Sequence, residues 1–176
     1  MIKNKSDYLY FMKKDKESLK VSGLKSYLFN DIWKFQRVLR KHEYYANRNS
    51  IFKHWYAYKH KKIGRILGIT IPINTCGAGL SIAHIGTIVI NGDARIGENC
   101  RIHVCVNIGA AAQNSDEVPV IGDNCYIGPG AKLYGGIVLG DNVAIGANSV
   151  VNKSFEGDCV IAGVPAKVIS NSKLIR

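Results

Sequence analysis

The chain has 176 residues and a mass of 19.4 kDa, enough for one well-buried domain with an appendage and too little for two ordinary enzyme domains. It contains no run of about 18 apolar residues, and its opening MIKNKSDYLYFMKKDK lacks the apolar core of a signal peptide, so a soluble, cytoplasmic protein is expected. The net charge of +11 is divided unevenly: residues 1–67 hold 17 Lys/Arg against 5 Asp/Glu, whereas the rest holds 7 against 8.

Thirteen of the 16 aromatic residues also precede residue 68, so two regions of different construction are expected to meet near Gly64 to Gly68. The first, 1–67, reads as helical. Between Ser26 and Asn47, Phe29, Ile32, Trp33, Val38 and Leu39 recur with helical spacing; between Ser50 and Leu67, Ile51, Trp55, Tyr58, Ile63 and Leu67 do the same. A break from a shorter first helix is expected near Ser22 and Gly23. Because the helical period accounts for the aromatics as packing residues, the basic charge does not lead us to expect a nucleic-acid partner.

From Ile71 onward the pattern becomes a six-residue repeat. One apolar row runs Ile90, Ile96, Ile102, Ile108 and resumes at Ile121, Ile127, Leu133, Leu139, Ile145 and Val151. A companion row runs Ile88, Ala94, Cys100, Val106, then Cys125, Ala131, Ile137, Val143 and Ser149. No helix or ordinary strand has this period. A triangular coil does: three six-residue sides make one turn of about 18, and turns stack about 4.8 Å apart as parallel ladders. Row residues fill the interior, while Gly, Asn and Asp take the corners. About five coils are expected between Ile71 and Val160, within a β-helix domain of 68–176 that has an inserted loop at 110–120 and a C-terminal tail. The five cysteines, odd in number and without a CxxC pair, read as reduced core residues with no metal.

Counting by sixes from Ile90 places His84 in the apolar row, where an imidazole lacks a structural reason. One turn of about 18 residues later stands Ile102, with His103 beside it. His103 is therefore a candidate assistant to His84 or a contact to a substrate; a plain surface histidine is the alternative.

The segments GLSIAHIGTIVING, GENCRIHVCVNIG, AAAQNSDEVPV, IGPGAKLYGGI, IGANSVVNKSF and IAGVPAKVI together resemble the hexapeptide-repeat acyltransferases. Within them the chain looks like the serine acetyltransferases and the serine-acetyltransferase-like O-acetyltransferases of capsule and exopolysaccharide assembly, to which the leader's NDIWKFQRVLRKHEYY run is closest. The resemblance implies an all-β left-handed parallel β-helix preceded by an N-terminal α-helical region, assembled as a homotrimer, with acetyl-CoA as acyl donor. It also implies His84, in the AHIG segment, as the base that takes the acceptor's hydroxyl proton, a step neutral imidazole suits. Positions matching the family's CoA contacts are Ala110, Pro129, Ala147 and Lys167, the last able to meet a phosphate.

Three departures point away from serine as acceptor. Ala83 stands where serine enzymes carry an aspartate, Thr70 is the only polar residue where an imidazole-orienting aspartate is expected, and Asp116 and Glu117 replace an Arg-His pair in the loop. The expected acceptor is a sugar or saccharide hydroxyl, with Asp93 and Asp116 as candidate carboxylates in substrate binding. Serine O-acetylation and a non-catalytic β-helix scaffold are the alternatives. A zinc-dependent carbonic anhydrase of the same fold is excluded, because only His84 and His103 lie in the repeat. The basic leader is expected either to be a solvated helix face or to touch phosphate-bearing acceptors or an anionic membrane surface.

Overall fold

A computed structural model describes residues 1–172. The leader forms four helices: α1 (Lys5–Ser18), α2 (Gly23–Phe29), α3 (Asp31–Asn47) and α4 (Phe52–Leu67). Asn4 and Asp7 close a capping box at the start of α1, which satisfies backbone donors a first turn leaves open. The single helix expected from Ser26 to Asn47 is two. Asn30 is extended, and its side chain accepts from the Trp33 backbone N at 2.9 Å, so it caps α3. Phe29 is consequently 75% exposed instead of joining the α3 face, while Trp33, Phe35 and Leu39 are buried. In α4, too, the expected apolar face is only half used. Ile51, Trp55 and Tyr58 are exposed and Leu67 is buried. Gly68, at φ 73, ends α4 in the left-handed conformation that glycine adopts without strain. Among the described residues no helix is long and apolar enough to cross a membrane.

The remainder is a left-handed parallel β-helix of triangular cross-section. Its first face stacks β1 (Ile69–Thr70), β3 (Ile88–Ile90), β6 (Val106–Gly109), β9 (Lys132–Tyr134) and β12 (Val150–Val151). The second stacks β4 (Arg95–Ile96), β7 (Val120–Ile121) and β10 (Val138–Leu139). The third stacks β2 (Ser81–Ile82), β5 (Arg101–Ile102), β8 (Tyr126–Ile127), β11 (Ala144–Ile145) and β13 (Val160–Gly163), closed by the antiparallel β14 (Ala166–Ser170). The end of the expected tail, 173–176, lies outside the described residues.

Both apolar rows named above line the interior: every member from Ile88 to Val151 is buried. Each fully buried Ile contributes on the order of 2 kcal/mol of apolar transfer energy, so the stacked rows stabilise strands too short to persist alone. Asn99, Asn124, Asn142 and Asn148 turn corners at φ of 55° to 60°. Cys76, Cys100, Cys125 and Cys159 are buried thiols, and Cys105 is a thiol exposed at a corner.

The leader is locked to the first coil through Arg40, which is fully buried. Its Nε donates to Asp15 Oδ2 at 2.8 Å, its Nη1 to Glu43 Oε2 at 3.0 Å, and its Nη1 and Nη2 to the carbonyls of Cys76 and Gly77. Asp15 in turn accepts from the backbone N of Gly79 and Leu80, and Glu43 from that of Asn74. Burial opposes the Arg40 charge, but the two carboxylates outweigh it and hold the guanidinium firmly protonated. Every guanidinium proton in this knot has an acceptor and all four carboxylate oxygens accept at least one bond, which is the condition for a buried ion group to be tolerated.

Candidate functional site

The third face carries an outward row. Backbone bonds run from Ala83 N to Ile102 O, from His103 N to Ile127 O, from Gly128 N to Ile145 O and from Gly146 N to Ile161 O. These put Ala83, His103, Gly128, Gly146 and Ala162 in one column along the edge where the third face turns into the first. Above it stands a second column, Ser81, Arg101 and Tyr126, joined by register.

The structure corrects the reading of His84 as an interior residue. Ile82, 1% exposed, is the row residue and pairs with Ile102; His84 is exposed in the corner that follows. Between Ile82 and Ile88 that corner holds five residues, whereas between Ile102 and Val106 it holds three. The longer corner pushes the imidazole out of the stack. Ile102 is accordingly stacked on Ile82 and not on His84.

The two histidines nevertheless meet. The rings of His84 and His103 lie 6.1 Å apart, and His103 in turn lies 5.0 Å from the Tyr126 ring. Arg101 bridges the outward column, with its Nη1 donating to Ser81 Oγ at 3.2 Å and its Nε to His103 Nε2 at 3.4 Å. A donor on Nε2 fixes that nitrogen of His103 as an acceptor, so any proton on the neutral ring sits on Nδ1. Ser81, Arg101 and Tyr126 were not singled out from the sequence. The available signal was their position, one residue before a row residue on the same face as the histidines.

Thr70 does not substitute for an orienting aspartate. It is exposed in β1, on the first face, and pairs with Val89. Asp93 and Asp116 are also exposed and lie at the opposite end of the first face, where it turns into the second; each has its backbone N held by a nearby asparagine side chain. Within one copy of the chain they are not brought to the histidines.

Pro129 and Ala147 stack in adjacent coils just beyond Gly128 and Gly146, with Asn148 N bonded to Pro129 O at 2.8 Å. Lys167 is exposed and paired with Ala162 across β13 and β14. These three therefore continue the histidine edge. Beyond His103 the residues along it are small, Gly128, Pro129, Gly146, Ala147 and Ala162, and adjacent coils approach so closely that a Cβ on Gly146 would fall 2.8 Å from the Ala162 Cβ. A row of small residues lets an extended, narrow chain approach the backbone, and Lys167 places one cation at its end. Ala110 is separate. It opens the 110–120 loop on the other edge, beside a cleft of about 950 Å³ lined by Ala111, Asn114, Glu117, Tyr134 and Lys153.

Residues 119–153 match the family model described as bacterial transferase hexapeptide (six repeats). In sequence the chain is similar to the serine acetyltransferase of Synechococcus elongatus, 37% identical over 113 residues, covering 62% of this chain and 46% of the relative. It is also similar to that of Staphylococcus xylosus, 35% identical over 140 residues, covering 71% of this chain and 65% of the relative. In structure it resembles the Brucella abortus serine acetyltransferase in complex with coenzyme A, with a TM-score of 0.80 at 25% identity, over 97% of this chain and 71% of that one. The chain thus spans about half the length of the first of these relatives. A closer likeness to the capsule group, expected from the leader, finds no support in these relatives, which are serine acetyltransferases.

Proposed function

We propose that this chain is an acetyl-CoA-dependent O-acetyltransferase with its acceptor hydroxyl at His84. The observation that carries the reading is the edge itself: an exposed imidazole 6.1 Å from a second one, at the head of a row of glycine, alanine and proline that ends near Lys167. Such small side chains let a pantetheine arm approach the backbone, and Lys167 suits a phosphate at its far end. When bound, acetyl-CoA supplies the activated acyl group as a thioester. His84 takes the acceptor's proton as the oxygen attacks the thioester carbon, and it returns that proton to the departing sulfur, so free CoA leaves as the thiol. His103, held by Arg101, orients or assists this ring from the next coil.

The relatives' names favour L-serine as the acceptor. A second reading, a sugar or saccharide hydroxyl, is supported by a specific observation: Glu117 lines the cleft beneath the loop, tethered by Asn114, and Ala83 stands beside His84 where no carboxylate is available. A loop carrying Asp116 and Glu117 repels an amino-acid carboxylate. The reading also includes a homotrimer, because Ala110 and the loop occupy one edge of the prism and His84, Pro129 and Ala147 another. Packing the two edges of neighbouring copies against each other completes a site that one copy leaves divided.

The test is CoA-thiol release from acetyl-CoA with L-serine and, separately, with neutral saccharide acceptors. Turnover with serine supports the reading the relatives favour, and turnover with saccharides alone supports the second. Absence of both turnover and CoA binding reduces the chain to a scaffold.

A further inference from the structure

The leader contains a second concave site that the reaction above does not use. Helices α1 to α4 together enclose a groove of about 260 Å³. Its cations are Lys34, Arg37, Lys41 and Lys59, its aromatic walls are Tyr8, Tyr27 and Tyr56, and no carboxylate lines it. Among the described residues none of these four cations forms an ion pair. Of the leader's five acids, Asp7 caps α1, Asp15 and Glu43 are consumed by Arg40, and Glu17 and Asp31 do not line the groove.

Three of the four cations lie over aromatic faces. The Arg37 guanidinium lies 3.7 Å from the centre of the Tyr27 ring and donates from Nη2 to the Tyr27 carbonyl at 2.7 Å. Lys41 and Lys59 lie 5.6 and 5.9 Å from the Tyr56 ring, which is itself fixed by stacking on Tyr45 at 5.0 Å. Arg37 Nε is buried and has no acceptor among the described residues. A buried donor on a charged group without an acceptor costs free energy, as does crowding four like charges. An anion in the groove relieves both. Solvated helix faces do not account for this arrangement, because a solvated lysine has no need of a ring or a concave wall.

We infer that this groove binds a phosphate or diphosphate ester, with Arg37 as the forked contact, Lys34, Lys41 and Lys59 as point charges, and the tyrosines as walls for the organic part. The planar fork of Arg37 matches phosphate oxygens, and the volume takes a diphosphate group and little more. None of the proposed donor positions Pro129, Ala147 and Lys167 lines it. The same chemistry is offered by a soluble nucleotide-type diphosphate and by an anionic lipid headgroup.

The test is isothermal titration of the full chain with inorganic pyrophosphate at constant ionic strength, alone and with saturating CoA. One site per chain, unaffected by CoA and weakened about tenfold or more in Arg37→Met and in the milder Lys41→Gln/Lys59→Gln pair, is the expected result. Helical circular dichroism checks that each variant is folded. Co-sedimentation with phosphatidate-containing against phosphatidylcholine vesicles separates the sources: binding lost in the same variants assigns the lipid headgroup, and pyrophosphate binding without vesicle binding assigns the soluble ester. Displacement by CoA, undiminished affinity in the folded variants, or failure of both probes to bind overturns the inference.

Discussion

His84 owes its availability to a corner two residues longer than the one stacked on it, so its side chain contributes almost nothing to packing. His84→Ala is therefore expected to leave the melting temperature unchanged, lower kcat about 100-fold or more, and leave CoA affinity by titration nearly intact. Equal loss of CoA binding would show that the ring positions the donor instead. A different pair of histidines is structural. His42 Nδ1 and His60 Nδ1 lie 3.2 Å apart between α3 and α4, and the His60 ring packs 5.2 Å from Phe35. Burial first, and the neighbouring His42 second, hold His60 down to about 4, and burial also lowers His42. A neutral form favoured in the fold means that the unfolded chain binds more protons between about pH 6.5 and pH 4. The contribution to stability is thus complete above pH 6.5 and is lost as the pH falls through that window, by about 3 kcal/mol at most for His60. Urea denaturation at pH 7 and pH 5 should show the loss, and His60→Phe should flatten it.

At the scale of elements, the coils were legible because a period of six belongs to no other regular structure, and the rows from Ile88 to Val151 lie where the spacing puts them. The phase of the first coil was not legible. Two extra residues between Ile82 and Ile88 equal the spacing between a row residue and its companion, so the apolar pattern stays in step and His84 counts as interior when Ile82 is. The outward column of Ser81, Arg101 and Tyr126 was hidden for another reason, since only stacking across coils makes neighbours of residues so far apart in sequence. The break before α3 was present in the sequence as Asn30 followed by Asp31, a cap signal overridden by the apolar spacing on either side. Arg40 reads on a helix as one more exposed cation, yet it joins α1, α3 and the first coil. Arg40→Met removes the cation and leaves two buried carboxylates without it, so a loss of about 3 to 5 kcal/mol in denaturant unfolding is expected. If Arg40→Met unfolds like the unaltered protein, the leader is not anchored by this knot.

On the scale of the whole molecule, the proposed site residues lie along two edges of the prism that face different directions. Along one run His84, His103, Pro129 and Ala147; along the other lie Ala110, the loop and the cleft bounded by Glu117 and Lys153. A three-fold ring that sets the first of these edges of each copy against the second of the next leaves neither of the two unmatched. Light scattering is therefore expected to give three chains per particle. Trimers alone do not prove shared sites, but mixing does. His84→Ala damages only the first edge, and Ala110→Trp fills only the second. Each homotrimer should be inactive. Among all trimers assembled at random from equal amounts, an intact site forms wherever the first edge of an Ala110→Trp copy meets the second edge of a His84→Ala copy. That happens at about a quarter of the interfaces, so about a quarter of the unaltered activity should return. With the mixed trimers verified by two affinity tags, failure to recover any activity would mean that each copy works alone, and the two edges would then need separate explanations.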